Sequence, residues 1–198
     1  MADDKRGREK QARDAERRQQ ERDIETERER GDEREPPVEA TALGDIETAL
    51  ESVEFPATGT DVVAAIGDHT IESRGERYAI EALVPETERE TFDSPTAVRA
   101  AVQRPTVAAA MKRVVESIGT RPDVEFDWSQ RNAYELTFRA LGPIDADDDD
   151  EGITVIGDWI VDRVRETGSL PSSRAVRRRA AEFCRTNGYQ VRVDEWLG

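Results

Sequence analysis

The chain has 198 residues, with 44 Asp and Glu against 29 Lys and Arg, for a formal net charge of −15. Its single cysteine, Cys184, excludes an internal disulfide and any cysteine-based zinc site, and fits a reducing cytosol. No apolar run approaches the roughly 18 residues that span a bilayer, and the N-terminus lacks the apolar stretch of a secretory signal, so a cytoplasmic protein without membrane contact is expected.

Residues 1–37 carry 11 Lys and Arg and 13 Asp and Glu, and their only apolar residues are Met1, Ala2, Ala12, Ala15 and Ile24. Such a segment cannot build a core. Asp4→Arg8, Glu9→Arg13 and Asp14→Arg18 are favourably oriented i,i+4 pairs, which supports a frayed helix; a disordered arm is the alternative. The arm serves either as a solubilising tail or as a docking element for a protein partner. Pro36-Pro37 ends it.

Residues 38–104 read as a small folded unit. Leu43, Ile46, Leu50 and Val53 fall at helical spacing. Pro56 and Gly59 break the chain, and Thr60 is the expected N-cap of a short helix through Val62, Val63 and Ile66, closed by Gly67. Apolar residues on either side of Arg74-Gly75 predict a hairpin. Ser94-Pro95 is a helix start, with Val98 and Val102 facing inward. The order helix, helix, hairpin, helix is that of a winged-helix-like module.

Three stretches of this unit carry a resemblance. Glu54 to Thr58, the helix Asp61 to Gly67, and Thr91 to Val98 are together similar to a family of small, uncharacterised acidic proteins of haloarchaea. Those proteins also open with a charged coil like Ala2 to Gln11. The resemblance spans about the first 104 residues. It implies a helical domain and a haloarchaeal source, and it implies no activity and no catalytic or binding residue. Composition agrees on the source: only Lys5, Lys10 and Lys112 are lysines, so arginine supplies nearly all the positive charge. A carboxylate-rich surface suits molar salt, where the Debye length is about 3 Å and self-repulsion is screened. Acidity is then a background property and does not identify a partner.

Further on, Val107, Met111, Val114, Val115 and Ile118 mark a helix that Thr106 can cap and Gly119 ends. Asp123 to Trp128 alternates, as in a short strand or an extended link. Ser129 is the expected cap of the next helix, with Tyr134, Phe138 and Leu141 on one face. This completes a winged-helix-like N-terminal unit with a helical extension, residues 38–142. Residues 143–151 form an acidic linker, and Asp145 to Glu151 contains six acids in seven residues. Residues 152–198 form a second, helix-turn-helix-like unit. In it Ile153, Ile156, Ile160 and Val164 stack at helical spacing and Gly168 ends the helix. Leu170 to Ser173 then turn into a last helix that stops near Asn187-Gly188. Tyr189 to Val193 suit a strand, and Trp196-Leu197 an apolar tail. Trp128, Trp159 and Trp196 are expected to anchor the cores. The expected fold class is mainly α with a short β hairpin.

The last helix holds the candidate chemistry. Residues 174–185 contain Arg174, Arg177, Arg178, Arg179 and Arg185 against Glu182 alone, a local charge of +4 in an acidic chain. At about 100° per residue, Val176, Ala180 and Phe183 share one face and Arg174, Arg178 and Arg185 the opposite one. A short turn before it completes the layout in which a second helix enters the DNA major groove. Arg174, Arg177, Arg178 and Arg185 are the candidate DNA contacts, and Ser172 and Ser173 could meet a phosphate at the helix start. The alternatives are a solvated or self-paired face and a surface for an acidic protein partner. Counterion release contributes little in molar salt, so binding there needs base contacts and apolar fit, which a homodimer would assist.

No enzyme is expected. His69 is the only histidine, so a two-histidine metal site is impossible; no phosphate-cradling glycine loop follows a strand; and Asp147–Asp150 lack the ligand spacing of a calcium loop. No cofactor and no metal are expected. The expected function is a cytoplasmic binding module for double-stranded DNA, associated with transcription. The alternative is a protein–protein interaction or scaffold role, through residues 1–37, with no nucleic-acid contact.

Overall fold

The computed structural model describes residues 38–119, 121, 123–142, 144 and 151–189. The expectations for the arm at 1–37, for the acidic run 145–150 and for residues 190–198 with Trp196 lie outside them. The described chain is mainly helical with short antiparallel strand pairs.

Helix α1 (Ala40–Ala49) buries Leu43 and Ile46, and a 3-10 turn over Leu50–Ser52 adds Leu50. Strand β1 (Ala57–Thr58) leads directly into α2 (Gly59–Ile66). The cap of α2 is Thr58, not Thr60. Thr58 is extended, its Oγ1 accepts from the Asp61 N–H at 3.1 Å, and the Asp61 carboxylate accepts from the Thr58 N–H at 2.9 Å. This reciprocal box needs an acidic or amide side chain three residues after the cap. Thr58 has Asp61 at that place, whereas Thr60 would have Val63.

The hydrogen bonds from the Thr58 hydroxyl and backbone hold the Asp61 carboxyl below its ordinary value. A lowered folded-state value stabilises the fold above the unfolded value near 3.8, and that contribution is lost as pH falls through the folded value. Asp61→Asn should therefore lower the melting temperature at neutral pH. The gap to the unmodified chain should close in acid, and paired thermal scans at the two pH values would check it.

Strands β2 (Thr70–Ser73) and β3 (Glu76–Ala79) pair from Thr70 with Ala79 to Ser73 with Glu76. The two-residue turn between them is left-handed at both positions, Arg74 at φ 54° and Gly75 at φ 81°, the twist that a tight hairpin favours. Strand β4 (Thr91–Phe92) pairs with β1, a contact that two-residue strands leave unmarked in the sequence. Helix α3 (Pro95–Val102) has Pro95 at its first position, and Ser94 Oγ accepts from the Ala97 N–H at 3.2 Å. Leu43, Ile46, Val62, Ile66, Ile80 and Val98 centre a first core that reaches Ala108.

Helix α4 (Pro105–Gly119) belongs to two cores. Ala108 packs into the first, while Val107, Ala110, Met111 and Val114 face the second. Three more helices close that second core: α5 (Trp128–Leu141), α6 (Glu151–Thr167) and α7 (Ser173–Thr186). Its largest fully buried side chains are Tyr134 and Phe138, with Ile153, Ile156 and Ile160 from α6. Helices α4 and α6 lie side by side at Gly157, where a Cβ would sit 3.7 Å from that of Ala110, and Arg113 bridges to Asp158 at 2.7 Å.

Asp127, not Ser129, caps α5. Its Oδ1 accepts from the Gln130 N–H at 2.8 Å, which places Trp128 in the first helical turn. The expectation that Trp128 anchors a core is therefore corrected: it is 78% exposed. Trp159 does pack at the edge of the second core.

Candidate nucleic-acid interface

Helix α6 ends at Gly168, whose φ of 70° reverses the chain. The turn that follows is held from the side by α5. The Pro171 carbonyl accepts from Gln130 Nε2 at 2.9 Å and from the Tyr134 hydroxyl. Burial pushes the Tyr134 phenol far above its ordinary value, and the Gln130 hydrogen bond opposes this only in part. The phenol therefore keeps its proton, and the turn keeps both donors, throughout the physiological range. Leu170 packs onto the second core beneath it.

Ser172 caps α7 by accepting from the Ala175 N–H at 3.3 Å. Ser172 is exposed and Ser173 half-buried. The Ser172 oxygen is thus already an acceptor within the helix, and its proton is the part left to offer a ligand. One side of α7 is anchored, with Val176, Ala180, Ala181 and Cys184 buried and the Phe183 ring 6.4 Å from that of Tyr189.

The arginines divide into two groups. Arg174, Arg178 and Arg185 are exposed, and among the described residues none of them makes an ion pair. At about 100° per residue they occupy an arc of about 40°, and at 1.5 Å per residue they span about 16 Å along the axis. That row can reach across a major groove about 12 Å wide. Arg177 and Arg179 are half-buried and committed elsewhere. Arg177 is engaged within the chain, and Arg179 bonds Glu182 at 3.0 Å. On α6, Arg163 pairs with Glu166 and Arg165 with Asp162. The structure therefore separates Arg177 from the other three candidates.

Among the described residues no group of histidine, cysteine and carboxylate side chains is placed to hold a metal ion. His69 is exposed just after α2, and Cys184 is buried. No described helix is long and apolar enough to cross a membrane.

Residues 40–114 match a family of unknown function, DUF5789. No curated protein and no solved structure matches the chain. The matched stretch covers the first core except Val38 and ends within α4, so the arginine row of α7 lies outside it.

Proposed function

We propose that the chain is a non-enzymatic binding module that takes double-stranded DNA on the arginine row of α7, in the manner of a transcription-associated regulator. The observation that carries this reading is the row itself, Arg174, Arg178 and Arg185, exposed and making no ion pair among the described residues, on an otherwise acidic chain. The fixed turn before α7 supports it, because a rigid helix start sets the register of side chains on base edges. In this reading Arg177 supports the helix and does not reach DNA. The carboxylate-rich, lysine-poor composition supports a salt-rich cytoplasm of a halophilic archaeon as the setting.

Replacing Arg174, Arg178 and Arg185 by glutamine should weaken duplex binding by at least a hundredfold while leaving the helical circular-dichroism spectrum unchanged. Arg–guanine pairs contribute about 1–3 kcal/mol each and phosphate contacts add to the loss. Fluorescence anisotropy against random and genomic duplexes, titrated with KCl, would measure it. Unchanged binding by the triple variant would remove this surface from consideration. Absence of binding by the unmodified chain at every salt would leave the scaffold role.

A further inference from the structure

We propose that the protein self-associates as a two-fold dimer, in which Trp128 of each copy enters a cleft beside Trp128 of the other. This inference is independent of the DNA reading and rests on different residues. Trp128 and Leu136 are the large hydrophobic side chains left exposed among the described residues, at 78% and 42%. Both lie on α5, on the i,i+4 row Trp128, Asn132, Leu136, Ala140, which carries no charge although 37% of the chain is charged. Absence of charge and the presence of tryptophan mark the centre of a protein interface. The Asp127 cap fixes the backbone at Trp128 in the first helical turn, and an indole has only two side-chain torsions to order on docking.

The receptor is on the same surface. A cleft of about 320 Å³ lies between Arg89 and Glu90, the end of α4 and the link into α5, and Val115, Ile118 and Phe126 contribute its apolar lining. Asp127 and Arg131, the residues immediately before and three after Trp128, line it as well. Three of its five charged residues are matched, while the exposed carboxylates of Glu125 and Asp127 make no ion pair among the described residues. Arg89 donates to the carbonyls of Ile118, Arg121 and Val124 at 3.1, 2.8 and 3.0 Å, and buried Glu90 pairs with Arg131. An anion would face the carboxylates of Glu125 and Asp127, whereas the apolar wall of Val115, Ile118 and Phe126 suits a neutral aromatic ring, with the Arg131 guanidinium available to its face. Knob and cleft as neighbours on one surface are what a two-fold interface requires, because each copy must present both halves.

The proposal has a salt signature. Each copy carries −15, and the two-fold brings the exposed rim acids Glu125 and Asp127 of the two copies together. Screening removes that repulsion, so association should strengthen as KCl rises from about 0.1 M to about 1 M. Phosphate binding has the opposite slope.

Sedimentation equilibrium of the full chain across this salt range tests it. The expected result is a reversible shift from the 22.2 kDa monomer toward twice that mass. Trp128→Ala should weaken association at least tenfold with an unchanged circular-dichroism spectrum, since the ring is exposed. Trp128→Phe should weaken it less, and Glu125→Arg should strengthen the low-salt dimer by offering a partner to Asp127 of the other copy. A monomer at all salts, or a dimer indifferent to Trp128→Ala, would overturn the proposal. A monomer in which Trp128 is shielded from acrylamide quenching, read in a Trp159→Phe, Trp196→Phe background, would put a segment of the same chain on this face and also overturn it.

Discussion

Gly59→Ala should destabilise the protein severely, by about 3 kcal/mol or more, although it lies in a helix. Helix propensity alone forecasts the opposite sign, since alanine is favoured over glycine by about 1 kcal/mol. Sterics decide. A Cβ at Gly59 would lie 1.9 Å from the Pro85 carbonyl oxygen and 3.2 Å from that of Thr87, both backbone atoms that cannot step aside. Gly59 is also tied to β4's approach, because its N–H donates to the Glu90 carbonyl at 2.8 Å. Overpacking usually costs about 1–3 kcal/mol where side chains can yield, and rigid backbone puts this site at or beyond the upper end. Gly44→Ala is the internal control. Nothing lies within 4 Å of a Cβ there, so it should stabilise α1 by about 0.5–1 kcal/mol. Urea unfolding of both variants reads the two signs; a stable Gly59→Ala protein would mean the loop at Pro85 does not sit where described.

Phe138→Ala should cost about 3–5 kcal/mol, the range for deleting a buried aromatic side chain. Phe138 is fully buried in the second core beside Tyr134 and Leu141. The effect should reach further than that core, because α4 presents Ala108 to one core and Val107, Ala110 and Met111 to the other. Loss of the second core removes cover from half of α4, so a single transition is expected to move to lower urea. Far-ultraviolet circular dichroism and tryptophan emission should give the same midpoint. Two separated transitions would show that α4 does not couple the cores.

Much of the helical frame was readable because local chemistry decides it. Ser94-Pro95, Gly168, Ser172 and Asn187-Gly188 end or begin helices through bonds within four residues, and Arg74-Gly75 makes its turn alone. Three caps were misplaced for local reasons, among them Thr106, which lies inside α4 because the helix already begins at Pro105. Thr60 and Ser129 are good capping types, but the reciprocal partner Asp61 and the better acceptor Asp127 favour Thr58 and Asp127. Features set by distant residues left no trace. The β1–β4 pair, the Arg89 bonds to three carbonyls and the Glu90–Arg131 pair join residues some 30 to 40 apart in sequence. The exposure of Trp128 follows from the misplaced cap, since hydrophobicity forecasts burial but the cap at Asp127 sets where the helix begins. In α7 the 3.6-residue period sufficed to put Arg174, Arg178 and Arg185 opposite Val176 and Ala180. That Arg177 and Arg179 are committed elsewhere needed three-dimensional neighbours.

The burial of Cys184 on the inner side of α7 makes the chain its own clock. A thiol reagent meets no other target in this sequence, so its rate of modification counts how often α7 lifts from the core. Any ligand seated across the outer face of that helix must slow the count in proportion to its occupancy, without a label, a tag or a substitution having been introduced.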